Sequence, residues 1–394
     1  MVAIAATLLG ASLAAYSTDP RTDSARTLVA VNASLYDVAA KTGGFGSGLF
    51  ERDDFESLYA SSLEVWVDAS QRAALEAAGL RTVPAVDTAA VSFAAERASN
   101  YSDAGREEPD WTEYCGYECM TERLGALAAE GGCQYPFELA NLGESVQGRT
   151  IWAIRIGTVG PEALLGGNIH GDEPVGNQLM QRWMWETCNN PTAEQTEVAT
   201  SVQAWYLPNM NPDGYEANRR TNANSVDLNR NFPIPSGGGA TPEPETVHYM
   251  AFVEARQFSI TTHFHGGAVV CNTVYDNCYT EAISPRPCPP SLPDFHPRAA
   301  DVLPSSRAYC DPMMAAGVSC GSQWPDCQIN GASWYQVTGS EQDWVFHFAE
   351  SVAMTMEMTQ TKRPPGATLP GHYENNYDAF HSFLMWPVSG GGGH

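Results

Sequence analysis

Four separated stretches of the chain carry side chains able to do chemistry together. The first is Gly167-Asn168-Ile169-His170-Gly171-Asp172-Glu173-Pro174. A histidine and a glutamate three residues apart can grip one Zn²⁺ through an imidazole nitrogen and a carboxylate at about 2.0–2.2 Å. That pair alone is common by chance and needs a third ligand. Ser259 to Gly267 offers two candidates, ending a β-like run in His263 and His265 followed by two glycines. The glycines let backbone approach a ligand closely, yet for either histidine alone a satisfied core or loop residue is the favoured reading. The third stretch follows the turn Asn209 to Gly214 and runs from Arg219 through Arg220, Asn222, Asn224, Asp227, Asn229 and Arg230 to Pro233. Arginine is the fork-shaped donor for a carboxylate, so this loop is suited to hold an anion. Asn211, Asn222 and Asn224 equally suit Asx turns that only pin the loop. The fourth is Met354-Thr355-Met356-Glu357-Met358-Thr359, which alternates strictly. Its methionines face a core, and Glu357 shares the other face with Thr355 and Thr359. A carboxylate in mid-strand is costly unless paired or functional.

The elements that must position these residues are legible around them. Thr150 to Ile156, Glu162 to Leu165 and Ala204 to Pro208 read as strands, and Pro174 to Glu186 as a helix after the first loop. Trp111 to Pro136 reads as a first helix tied by cysteines. Strands alternating with helices predict an α/β fold, a central mixed and mostly parallel sheet with helices on both faces. In such sheets ligands bind in loops at the carboxyl ends of the strands, where His170 falls. Upstream, from about Thr27 to Arg97, a smaller two-layer α/β unit is expected: strand Leu63 to Val67, helix Gln71 to Ala78 stopped by Gly79, strand Arg81 to Val86, helix Thr88 to Ala98. It has no cluster of His, Cys or carboxylates and is not expected to hold the chemistry. Asn100 to Asp110 reads as an exposed linker, with Arg97 and Arg106 open to trypsin-like cleavage. The expected division is residues 1–17, 25–99, 100–110, 111–388 and a flexible tail, 389–394.

Charge excludes some partners. Lys and Arg number 21 against 46 Asp and Glu, a net charge of -25 that repels phosphate backbones and anionic lipid. No nucleic acid is expected as a partner. The ten cysteines are scattered rather than set in paired Cys-x-x-Cys knuckles, which fits disulfides in an oxidising compartment, with pairing unreadable from sequence. Ala3 to Ala15 is an apolar run too short to span a bilayer and shaped like a signal peptide, though it lacks a positive start and a buried helix is the alternative. Asn32-Ala33-Ser34 and Asn100-Tyr101-Ser102 are glycosylation sequons. Together these predict a protein that is secreted or held in the secretory pathway or a vacuolar lumen, with no membrane span.

The motifs occur in a telling order: His170-Gly171-Asp172-Glu173, Asn211-Pro212-Asp213-Gly214, Asp227-Leu228-Asn229-Arg230-Asn231-Phe232-Pro233, His265-Gly266-Gly267, Asn330 to Trp344, and Met354 to Thr359. That order resembles the zinc metallocarboxypeptidases, most of all the regulatory N/E type that includes carboxypeptidases E, N, D and M. The resemblance covers roughly Glu108 to Trp386. It implies one Zn²⁺ per catalytic domain, held by His170, Glu173 and His265; His265 is preferred because the family's histidine directly precedes the two glycines. It implies that Asn229, Arg230 and Tyr335 hold the terminal carboxylate of a peptide or protein, that Arg220 stabilises the oxyanion, and that Glu357 is the general base. Asp276 matches an acid of the pocket for the last side chain and Gln342 its polar partner, so C-terminal Lys or Arg is expected.

The domain architecture and one segment beside the pocket depart from that type. The unit before the linker resembles an activation segment of the digestive A/B enzymes, which implies a prosegment removed by an activating protease. N/E-type enzymes usually carry a transthyretin-like domain after the catalytic one, and the given chain stops at His394 before one, so either the architecture is mixed or the sequence is truncated. Ser340-Glu341 stands where the family more often has Gly-Met, which touches specificity rather than catalysis. The rival readings are a non-catalytic peptide-binding relative and a carboxypeptidase preferring neutral or aromatic ends. A monomer is expected.

Overall fold

A computed structural model describes residues 27–31, 63–67, 69–80, 82–84, 108–277, 296–322, 324–334 and 337–389. The expected signal peptide, both sequons, Arg97, Arg106, the helix expected over Thr88 to Ala98, Tyr335 and residues 390–394 lie outside the described residues. The chain forms two compact units that divide between Asp87 and Thr88.

In the first unit, β1 (Thr27–Val31) pairs antiparallel with β2 (Leu63–Val67) on one side and β3 (Thr82–Pro84) on the other. Between β2 and β3 runs the helix Ala69–Ala77. Gly79, at φ +72°, stops it, and the Leu80 N–H turns back onto the Leu75 carbonyl while both leucines are buried.

The second unit is built on eight strands: β4 (Phe137–Glu144), β5 (Thr150–Ile156), β6 (Glu162–Gly167), β7 (Gln203–Leu207), β8 (Phe258–His265), β9 (Ala268–Thr273), β10 (Gln328–Asn330) and β11 (Val352–Thr359). Their order across the sheet is β10-β9-β11-β8-β6-β7-β5-β4. The four central strands β11, β8, β6 and β7 are parallel, and β9 and β5 flank them antiparallel. The expected mixed, mostly parallel sheet is therefore present.

Strand alternation decides what faces what. Met356 pairs with Phe264 across β11 and β8, so both point to one face. There Phe264 stacks on Phe380 of the helix Leu369–Met385 at 5.2 Å and lies beside Tyr309 of the helix Val302–Ala315. The helix Val175–Asn189 joins them through Trp183, whose indole N–H donates to the Tyr206 hydroxyl. Met354, Met356 and Met358 are all buried, each contributing about 1.5–3 kcal/mol of apolar burial. On the opposite face the helix Pro244–Glu254 covers the sheet, with Phe252 against Trp205 at 5.2 Å. Glu357 pairs with His265 and Thr355 with His263, so these four share that second face.

Four disulfides join described cysteines. Cys115–Cys119 sits at the start of the helix Tyr117–Ala128, and Cys133–Cys188 ties the segment after it to the end of the helix Val175–Asn189. Cys271–Cys310 fastens β9 to the helix Val302–Ala315, and Cys320–Cys327 closes a short loop before β10. Ser389, expected in the flexible tail, still bonds back to the Met385 carbonyl, which caps the last helix. No described helix is long and apolar enough to cross a membrane.

Candidate active site

The site forms where the parallel strands end. β6 stops at Gly167 and the chain turns through Asn168 at φ +55°, a left-handed conformation that Asn tolerates. Asn211, arriving from the end of β7, fastens this turn: its N–H donates to the Asn168 carbonyl at 3.0 Å and its side-chain amide to the Ile169 carbonyl at 3.2 Å. Gly171 is required, because a Cβ there would sit 2.0 Å from the Gly214 backbone. The turn delivers His170 and Glu173 to the spot where β8 delivers His265. His170 Nδ1 lies 2.9 Å from Glu173 Oε2, His265 Nδ1 lies 2.9 Å from the same oxygen, and the two Nδ1 atoms are 3.0 Å apart.

All three side chains are 3% exposed. Two imidazole nitrogens and one carboxylate oxygen converging in a buried spot are a donor set suited to Zn²⁺ with room for a fourth ligand. His263 is not part of the cluster. It is fully buried one step deeper along β8, with neither ring nitrogen hydrogen-bonded among the described residues.

The cluster is braced from behind by charges. His170 Nε2 lies 3.1 Å from Asp227 Oδ1, and Arg220 Nε donates to Asp227 Oδ2 at 2.9 Å. Such an outer carboxylate fixes ring orientation and tautomer. Lys362 Nζ donates to Glu173 Oε1 at 2.8 Å and to Asp172 Oδ2 at 3.1 Å. Burial works against ionising Glu173 and Asp227, but the neighbouring histidines, and Arg220 beside Asp227, outweigh it and hold both well below the usual carboxylate range. Burial also pulls His265 down to about 4.

In front of the cluster lies a cleft of about 170 Å³. Of the residues singled out by sequence, His170, Glu173, His265, Arg220, Asn229, Arg230, Asp276 and Glu357 all line it. Gln342 stands against Asp276, and Tyr335 lies outside the described residues. Among the described residues Glu357 Oε2 is buried with no hydrogen-bond partner, and burial followed by the nearby Glu173 charge pushes its carboxyl up to about 8. Asn229 Oδ1 accepts from the Glu341 N–H at 2.9 Å, which fixes the amide. Asn222 and Asn224 are loop pins instead: Asn222 Oδ1 accepts the N–H groups of Asn224 and Val226, both at 3.0 Å.

The inner end of the cleft is acidic. Asp276, 5% exposed, accepts from Asn272 Nδ2 at 2.9 Å and from Gln342 Nε2 at 2.8 Å, both on Oδ1. Its own N–H donates to the Asp343 carboxylate. A Cβ at Gly331 would fall 2.0 Å from Asp276 Oδ1, so glycine there leaves the carboxylate its space. Burial raises the Asp276 pKa. Sequence reading missed Asp227, Lys362, Asn272 and Asp343. Only Asp227 carried a signal, its place beside Asn229 and Arg230 in one motif.

Comparison with known proteins agrees with this layout. The sequence profile of the zinc carboxypeptidases matches residues 134–379. The human carboxypeptidase N catalytic chain is 29% identical over 286 residues, 62% of this chain and 62% of that protein. Mouse carboxypeptidase M is 31% identical over 261 residues, 60% of this chain and 58% of that one. The chain thus spans about three-fifths of the length of these relatives. The crystal structure of carboxypeptidase A from Helicoverpa armigera superposes with a TM-score of 0.60 at 16% identity, covering 93% of this chain and 98% of that one. The crystal structure of thrombin activatable fibrinolysis inhibitor gives 0.59 at 13% identity, covering 93% and 99%. At those identities the likeness speaks for the fold, while the profile match over more than half of the sequence makes this chain a member of the zinc carboxypeptidase family.

Proposed function

We propose that the protein is a zinc-dependent exopeptidase that removes the C-terminal residue of peptides and proteins, preferring Lys or Arg. The observation that carries this is one cleft holding a three-donor metal cluster, an unpartnered carboxylate oxygen, the Asn229-Arg230 pair and, at its inner end, Asp276.

Each group has work suited to its place. His170, Glu173 and His265 would hold the zinc, which supplies Lewis-acid polarisation of the scissile carbonyl and of the attacking water. Arg230 and Asn229, with Tyr335, bind the terminal carboxylate, so an internal peptide bond finds no partner there. Glu357 takes a proton from the attacking water as the C–O bond forms and passes it to the amine as the C–N bond breaks. Glu357 does this in its ionised form, which a cation held by His170, Glu173 and His265 would favour. Arg220, held by Asp227, offers its guanidinium to the oxyanion. Asp276, flanked by amides rather than a cation, suits an incoming ammonium or guanidinium. A relative that only binds peptides would have no use for Glu357.

Release of C-terminal residues from a peptide panel tests this. Activity should vanish on chelation and return with added Zn²⁺; full activity in metal-free protein would overturn it. The first unit serves as a prosegment on this reading, and the chain enters the secretory pathway, where its disulfides form. Cleavage near Arg97 or Arg106 should then raise activity. Limited trypsin treatment that shortens the chain by roughly a hundred residues and leaves the rate unchanged would remove the latency idea.

A further inference from the structure

Glu341 is a buried acid for which the reaction above has no use. It opens the helix Glu341–Phe348 at 2% exposure, and its carboxylate accepts a hydrogen bond from the Tyr249 hydroxyl. Its N–H holds Asn229 Oδ1, the next residue, Gln342, bonds Asp276 Oδ1, and Asp343 accepts the Asp276 N–H. One helical turn therefore supports both the carboxylate-binding amide and the acid of the side-chain pocket. Among the described residues neither Asp276 nor Glu341 forms an ion pair, and two more buried acceptors, Asn272 Oδ1 and Gln342 Oε1, have no partner. The site holds more acceptors than N–H donors, and a guanidinium brings five.

We propose that Glu341 is a second acid, buried beside the specificity pocket rather than lining it, a positioning residue acting through Asp276 and Asn229 that makes capture of a basic C-terminal side chain expel a proton. This rests on the basic preference proposed above. Two buried acids near one another, without a cation, do not both ionise readily. Burial, with a further push from the Asp276 charge, raises Glu341 to about 7, and burial raises Asp276 as well.

The groups facing the pair do not cancel this. Tyr249, from the helix Pro244–Glu254, is held well above its usual value and stays a neutral donor. His263, from β8, lies 6.2 Å behind the Tyr249 ring and is held neutral by burial. Asp343 adds negative charge from Glu341's own helix, and Arg230 favours an ionised Asp276 from across the cleft. When a cationic side chain enters, the pair ionises fully and one proton leaves to solvent. A neutral side chain releases none.

The test uses zinc-loaded enzyme and two inhibitors on one succinate frame, one ending in a guanidinoalkyl group and one in benzyl. Their shared carboxylates and metal contacts cancel in the ratio of inhibition constants. That ratio should shift toward the guanidino compound by about tenfold between roughly pH 6 and 7.5. Calorimetry near pH 6.5 in buffers of different ionisation enthalpy should find close to one proton released by the guanidino compound and none by benzyl. Glu341→Gln should flatten the ratio and abolish the release while keeping a preference for the guanidino compound. Tyr249→Phe removes a donor to the carboxylate, so the inflection should move to higher pH; this second variant decides the matter if the first fails to fold. An unchanged pH profile in Glu341→Gln, an unmoved inflection in Tyr249→Phe, or no proton release by wild type overturns the proposal. Failure of the basic preference itself looks different: benzyl would bind more tightly at every pH, and Asp276→Ala would change nothing.

Discussion

Two buried acidic clusters share this cleft and are balanced in opposite ways. Around the metal cluster, Glu173 and Asp227 are met by His170, His265, Arg220 and Lys362, and both carboxyls are held below their usual range. At the inner end, Asp276 and Glu341 are met by two amides, a phenol and the Ser340 side chain, with Arg230 acting on Asp276 but not forming an ion pair, and burial leaves both raised. Burial pushes all four the same way, so the difference lies in the close ion pairs and imidazole contacts that the first cluster has and the second lacks. The first cluster is complete before substrate arrives. The second is short of one cation, which is what a C-terminal Lys or Arg would bring.

The largest effect that could break this contrast is on the first cluster. His265→Ala should remove most of the bound zinc and with it the activity, whereas His263→Ala should leave the metal in place. Zinc content after dialysis checks both, and the reverse result would move the third ligand. Next, Glu357→Gln keeps the shape but removes the base, so turnover should fall by on the order of two to four decades with zinc content unchanged. A variant turning over near the wild-type rate would make Glu357 structural. At the second cluster, Asp276→Ala should erase about 2–5 kcal/mol of the discrimination between basic and neutral ends, read as a ratio of kcat/KM values.

The smallest effect sharpens the comparison through stability. Burial raises the Glu341 carboxyl to about 7 in the folded chain against an ordinary value of 4.5, so the folded chain keeps a proton that the unfolded chain has lost between those values. Stability therefore falls as pH rises through that window, by at most about 3 kcal/mol. Glu341→Gln should remove that fall and raise the thermal midpoint at pH 8 relative to wild type, with little change at pH 4. Glu173 and Asp227 carry the opposite sign, their contribution being present above about pH 4 and lost as pH falls. Equal effects of Glu341→Gln at pH 4 and pH 8 would show that its carboxyl ionises normally.

How much of this was legible follows from which residues are local. The alternation of Met354 to Thr359 reports its own two faces, because strand periodicity is written within six residues. His170 and Glu173 share one turn, so their spacing already suggested a joint ligand. Periodicity could not separate His263 from His265, since both lie on one face and differ only in depth along β8. The glycine pair and the family resemblance made that choice. Lys362 could not be read at all: it reaches Glu173 across 189 positions of sequence and bears no motif. Glu341 stood out only as a departure from the expected Gly-Met. Its contact with Tyr249 depends on how the helices Pro244–Glu254 and Glu341–Phe348 meet, which no local pattern encodes.

The central claim is that the inner end of the cleft awaits a cation, and one measurement reaches it most directly. Peptides identical except for a final Arg, Lys, Leu or Phe are offered to zinc-loaded enzyme, and kcat/KM is taken for each, with a chelated control. The account predicts Arg and Lys ends cleaved far faster than Leu or Phe, with all cleavage lost on chelation. A chelator-sensitive enzyme that prefers Phe over Arg would contradict it, leaving the metal cluster standing and the acidic pocket without its proposed role.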